Sequence, residues 1–285
     1  MTRLTPMMID EVAFSLDRRD MLLRSELGID LQMFAFEAAG LTPQNESELP
    51  LVAVVPMSCG KGIINGFTDT VSAIADHIGF KSFVTRGANA SGLAEAYQSG
   101  AEIIMMADDD EFIAINVKSN QLTNNTVCTA LGYVEALRMA EGSLWGKDVA
   151  VIGVGRVGCE SISLLNSYGV RVHIFDKDVR RCEEISSLYT DVVMHDSISS
   201  ALGSCRLVIN SSPAAIREEW LQSGSTVSWP GMPFNFLASE DYCSHTIIHD
   251  PLELGVAVMV ATAYSFSVSI SEPIPAQPDP MLVIH

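Results

Sequence analysis

The chain has 285 residues, with 35 Asp and Glu against 17 Lys and Arg, and a formal charge of −18. That balance argues against a phosphate-backbone partner, because nucleic-acid binding needs cations to displace counterions. At 48% hydrophobic and 18% charged residues the composition is globular, and the length has room for two compact domains.

The chain opens on "LTPMMIDEVAFSLDRRDMLLRSELGID", which reads as a leading helix. Thr5 serves as N-cap, Pro6 as first helical residue and Gly28 as stop. Ile9, Val12, Ala13 and Leu16 form one apolar stripe. Asp10, Glu11 and Asp17 interrupt any signal-peptide pattern. "LTPQNESELP" is a polar linker.

Alternating units follow. "LVAVVP", "KSFVT" and "AEIIMMA" read as strands, and "NGFTDTVSAIADHIG" and "SGLAEAYQSG" as helices. This rhythm predicts a parallel sheet flanked by helices. "VVPMSCGKGIINGF" sets Ser58, Gly60 and Gly62 between strand and helix, where backbone N–H groups hold an anion, here a substrate carboxylate, or simply form a tight turn. "MMADDDEF" puts Asp108, Asp109 and Asp110 at a strand end. Such a cluster is a solvated turn or, facing a cleft, an attractor of ammonium that helps move a proton. Residues 129–142 read as a long helix bridging to the second half.

From Lys147 the rhythm restarts. "DVAVIGVG" is a strand, "GCESISLLNSYG" its helix and "VRVHIFDK" the next strand. Gly153, Gly155 and Gly158 form G-x-G-x-x-G, enclosing Arg156 and Val157. The first glycine permits the turn, the second lets backbone approach a pyrophosphate, and the third lets helix pack on strand. Asp176 ends the second strand, where a carboxylate accepts ribose hydroxyls and favours NAD over NADP, with Lys177, Arg180 and Arg181 close by. "VINSSP" places small side chains beside the nicotinamide half of the groove. "WPGMP" with Pro230 sits at another strand end, shaping a loop or touching ligand.

The apolar run from Gly255 to Ile270 falls short of the ~20 residues of a membrane span and reads as a buried helix. Six cysteines show neither C-x-x-C nor paired metal-ligand spacing, so reduced thiols and no metal site are expected. Among the histidines, His249 beside "DPLELG" draws most attention. The four-proline tail "SEPIPAQPDPMLVIH" reads as irregular.

The strings "VPMSCGKGII", "GFKSFVT", "GAEIIMMADD", "NNTVC" and "VIGVGRVG", in that order, resemble the pyrrolysine synthase (PylD) family. The resemblance implies NAD-dependent oxidation of the terminal amine of 3-methyl-D-ornithyl-N6-L-lysine and closure to L-pyrrolysine. It also implies a homodimer, while the reduced thiols point to the cytoplasm, and the acidic charge and short apolar run to no nucleic-acid or membrane partner. Carried over by motif, Leu4 and Thr5 belong to a helix that closes on the isopeptide substrate. Ser58, Asp108 and Asn125 line its pocket, with Asp108 the catalytic candidate that holds the ornithyl ammonium. Gly153, Gly155, Arg156, Val157, Gly158, Asp176 and Pro230 bind NAD. The chain has Ile115 where the family pattern has histidine. An amino-acid dehydrogenase of other substrate and a non-catalytic NAD sensor stay open beside this reading. The expected architecture is α/β: an N-terminal α/β substrate domain with a leading helix (residues 1–143), a Rossmann domain (144–270) and a Pro-rich tail (271–285).

Overall fold

The computed structural model describes residues 9, 12–42, 49–60, 62–239 and 245–268. Thr5 and Pro6, most of the polar linker and the Pro-rich tail lie outside the described residues.

Helix α1 (Val12–Leu27) buries Val12, Leu16, Arg19 and Leu23, a single face at helical spacing. Gly28 ends it in the left-handed conformation, φ 79°, its N–H on the Arg24 carbonyl. Helix α2 (Leu31–Ala38) starts where the Asp30 carboxylate accepts the Met33 N–H at 3.0 Å.

The first sheet is built from β1 (Leu51–Val55), β2 (Lys81–Val84), β3 (Ile103–Ala107), β4 (Phe112–Asn116) and β5 (Gln121–Asn124), in the order β2-β1-β3-β4-β5. Helices α3 (Phe67–His77) and α4 (Asn89–Gln98) cross between the parallel strands β1, β2 and β3. The three strands expected to be parallel are so, and the sheet is extended by β4 and β5, which the sequence reading did not include and which run antiparallel. A parallel crossover needs a dozen or more residues. The acidic turn between β3 and β4 is far shorter, and it closes with the Asp108 N–H on the Glu111 carbonyl at 2.9 Å.

Helix α5 (Asn125–Glu141) begins with the Asn124 side chain accepting the Val127 N–H, four residues earlier than the sequence reading, and ends at Gly142. It leads into the second sheet: β6 (Asp148–Ile152), α6 (Arg156–Ser167), β7 (Arg171–Phe175), α7 (Val179–Leu188), β8 (Val192–Met194), α8 (Ile198–Ser204), β9 (Leu207–Asn210). The short pair β10 (Ile216–Arg217) and β12 (Phe236–Leu237) stands apart, while β11 (Thr226–Ser228) and β13 (Thr246–Ile248) complete the sheet. Its six parallel strands run β13-β11-β9-β6-β7-β8, the doubly wound Rossmann order that reverses between β6 and β9.

The last helix, α9 (Glu253–Ser265), lies within residues 144–270 but packs in the core of the first unit with α1, α2 and α3. Buried Asn116 stitches it to β4, donating to the Ala263 carbonyl at 2.8 Å and to the Ser267 hydroxyl at 2.7 Å. No helix among the described residues is long and apolar enough to cross a membrane.

Where α9 crosses α5 the contact is close. A Cβ on Gly132 would stand 3.3 Å from Val258 Cγ2, and one on Gly255 2.8 Å from Thr129 Oγ1. Gly132→Leu is therefore expected to cost about 1–3 kcal/mol by overpacking, read as a lower midpoint in urea unfolding.

Candidate functional site

The glycine loop is fixed by what surrounds it. Gly153 has φ 92° and donates to the Phe175 carbonyl at 2.8 Å; a Cβ there would lie 2.7 Å from Ser212 Cβ. A Cβ on Gly158 would come within 2.0 Å of the Gly153 carbonyl oxygen, so helix and loop touch at backbone. Gly155 is the contrast. Nothing lies within 4 Å of its Cβ position, and it caps α6, whose first N–H groups are free of side-chain capping.

Asp176 follows β7 and braces the loop, Oδ2 accepting the Val154 N–H at 2.7 Å and Oδ1 the Asp178 N–H at 2.9 Å. Arg180 and Arg181 lean on Asp178, at 3.2 and 3.9 Å. A small-residue wall stands opposite. Ser211 donates to the Gly153 carbonyl at 2.7 Å, and the Gly231 N–H reaches the Asn210 carbonyl at 2.8 Å. A Cβ at Gly231 would strike the Ser212 carbonyl at 2.2 Å. Open space above Gly155, a helix N-terminus and a strand-end carboxylate together fit a dinucleotide.

Between the two units lies a cavity of about 380 Å³, into which both halves project. The first contributes Asp108, Asp109 and Asn125, the second Gly155, Arg156, Val157 and Pro230. Candidates from distant stretches of sequence thus share one space. Arg156 ties its walls, donating to the Asp110 carbonyl at 3.1 Å and pairing with Glu111.

Asp108 is exposed, with Oδ1 accepting the Glu111 and Asp110 N–H groups, both at 2.9 Å. Those two donors, Glu111 first, hold its carboxyl below the usual range. It is a poor base and a good counter-ion. Ser58 is exposed and outside the cavity lining; its backbone N–H and hydroxyl are both engaged by the Asn89 side chain, at 2.9 and 2.7 Å. Leu4 and Thr5 lie outside the described residues. Ile115 pairs with Ile104 and Leu122 within the hairpin and does not line the cavity.

Four further residues went unnoticed in the sequence. Thr129 and Tyr133 line the cavity from α5, and Asp250 from the segment after β13. Behind Asp250, Arg19 is buried on the inner face of α1, its Nη2 3.1 Å from Asp250 Oδ2 and its Nη1 donating to the His249 carbonyl at 3.2 Å. The spacing of four from Asn125 to Tyr133 was the available signal. His249 itself bonds the Trp229 carbonyl through Nδ1 at 2.7 Å and stacks on Phe234, and burial lowers its pKa.

Comparison with known proteins follows the same division. The family profile described as "Pyrrolysine biosynthesis protein PylD, N-terminal domain" matches residues 8–123, and a TrkA-N domain profile matches residues 149–202. The pyrrolysine synthases of Methanosarcina acetivorans and Methanosarcina barkeri are 31% and 32% identical over 264 residues. Those alignments cover 91% of this chain and 98% and 97% of theirs. Shikimate 5-dehydrogenase of Thermus thermophilus, solved with NADP(H) and shikimate, is 12% identical with a TM-score of 0.50. That match covers 76% of this chain and 94% of the other, a likeness of fold alone.

Glu253 is buried beside Asp250, and burial first, then the Asp250 charge, push its carboxyl up to about 8. Such a group stays protonated in the folded chain while the unfolded chain ionises it near its ordinary value. Its contribution is therefore full below that value and is lost as pH rises toward 8. Glu253→Gln should remove this slope and raise stability at alkaline pH, measured by urea unfolding across a pH series.

Proposed function

This chain belongs to the pyrrolysine synthase (PylD) family, and we propose that it oxidises the terminal amine of 3-methyl-D-ornithyl-N6-L-lysine with NAD, leading to pyrrolysine. The observation that carries the reading is the shared cavity, where Asp108 and Asn125 face Gly155, Arg156 and Pro230. An amine-holding wall and a dinucleotide-holding wall then meet at one substrate.

When bound, the nicotinamide ring accepts a hydride from the carbon that carries the amine. Gly153, Gly155 and Gly158 would let the pyrophosphate reach backbone N–H groups at the start of α6, with Val157 in the first turn and Pro230 beside the nicotinamide end. Asp176 would take the ribose hydroxyls. Arg180 and Arg181 pair with Asp178, and no ion pair to Asp176 occurs among the described residues, which favours NAD over NADP. Asp108 would hold the ornithyl ammonium by charge, since its lowered pKa suits an ion pair better than proton abstraction.

The substrate's terminal ammonium first loses a proton, because the nitrogen lone pair must be free to form the C=N bond as hydride leaves. The ornithyl α-amine then attacks that carbon. Ammonia departs, and any water that enters by way of an aldehyde leaves again on ring closure. The cavity walls, apolar at Phe67, Phe112 and Met106, keep the reacting carbon away from bulk solvent.

Incubation of the protein with NAD and the isopeptide should yield NADH absorbance and a product of pyrrolysine's mass. Turnover of simple amino acids but not of the isopeptide would reject this substrate, and NAD binding without any turnover would reject an enzyme. Two substitutions divide the walls. Asp108→Asn should lower kcat/KM at least about tenfold with little change in NAD affinity. Gly155→Ala should leave thermal stability unchanged, its Cβ position being open, yet weaken NAD at least about tenfold by calorimetry.

A further inference from the structure

The described residues between β1 and α3 form neither strand nor helix, yet they build one side of the cavity. Met57, Gly62, Ile63 and Ile64 all line that space. A loop keeps a fixed wall only where a rigid element holds it. Asn89, the first residue of α4, supplies that hold. Its backbone N–H donates to the Pro56 carbonyl at 2.9 Å, and its Oδ1 accepts the Ser58 N–H at 2.9 Å. Its Nδ2 donates to the Ser58 hydroxyl at 2.7 Å.

Asn89 stands at φ 56°, in the left-handed region that a side chain other than glycine rarely adopts. The strained backbone and the three bonds belong to one arrangement. Its base is stiff. Gly92, in the same first turn of α4, is packed so tightly that a Cβ would stand 2.3 Å from the Gly87 carbonyl oxygen and 2.8 Å from Val55 Cγ1 of β1. Further along the loop, Gly60 rests on the acidic turn, where a Cβ would stand 2.1 Å from Asp109 Oδ2. Asp109 lines the cavity beside Asp108, whereas Asn89 and Ser58 do not line it.

We propose that Asn89 is a positioning residue of the cavity, which sets the wall of Met57, Gly62, Ile63 and Ile64 by way of Ser58 and without touching the ligand. The inference rests on the reading of this cavity as the substrate site. A loop released at Ser58 is still tied at both ends, in β1 and in α3. Its wall, however, no longer has one level, and Gly60 no longer meets the acidic turn at one distance. The ligand must then order the loop as it binds, which weakens binding. Cofactor affinity draws on other contacts, those of Asp176 and Ser211 with the glycine loop, and is left alone.

Steady-state kinetics of the full-length protein with NAD and the isopeptide test this, beside calorimetry with NAD alone. Asn89→Gly suits the left-handed backbone and deletes only the side-chain bonds. It should raise the isopeptide KM at least about fivefold, with kcat within about twofold and NAD affinity unchanged. Asn89→Asp keeps an acceptor for the Ser58 N–H and a second oxygen for the Ser58 hydroxyl, and should restore KM to within about twofold of wild type. Hydrogen exchange followed by mass spectrometry adds a readout that needs no turnover: exchange should quicken in residues 57–66 of Asn89→Gly and not in Asn89→Asp. An unchanged KM in Asn89→Gly, an equal rise in both variants, or unchanged exchange in the loop overturns the proposal. Absence of isopeptide turnover by wild type counts against pyrrolysine formation, and the exchange comparison then decides by itself whether Asn89 holds the wall.

Discussion

The close crossing of α5 and α9 is the constraint on which the cavity depends. Gly132 and Gly255 let the two helices approach until side chains from one meet backbone of the other. That approach carries the end of the described chain out of the second unit and seats it in the core of the first. The segment between β13 and α9 is then stretched across the cavity, which is how Asp250 comes to face residues of α5. Without the crossing there would be two α/β units joined by one helix. With it, the wall that presents Asp250 is built jointly.

Asp108 and Asp250, two residues lining this space, have carboxylates held by different physics. Asp108 sits at the tip of a tight turn and is stabilised as an anion by its own backbone N–H groups, at the cost of little desolvation. Asp250 is enclosed and depends on a guanidinium from a helix more than two hundred residues away in the chain. Removing Arg19 would leave a buried charge uncompensated, which is far more costly than losing an exposed pair. The apolar face of α1 therefore includes an arginine for an electrostatic reason.

Much of this was legible in the sequence. The glycine loop, its strand, its helix and Asp176 were legible because each follows from local steric rules that hold wherever the loop occurs. Asp108 and Asn125 were legible through the family strings around them. The antiparallel hairpin was not, since "DDDE" marks a turn without saying whether the chain reverses or crosses over. The partner of α9 was hidden for another reason. A helix buried on almost every side carries no periodic signal of direction, so nothing in residues 253–265 says which sheet it joins. Thr129, Tyr133 and Asp250 gain meaning only after that choice is made.

The hairpin also changes the weight of the family departure at Ile115. Alternate residues of β4 face opposite sides of the sheet: Phe112, Ala114 and Asn116 are buried toward the α9 side, while Ile115 shares its face with Ile104. A side chain there stands between Ile104 and Leu122 of the neighbouring strands and lies outside the cavity lining. Variation at this position is thus a matter of volume and hydration rather than of a group aimed into the cavity.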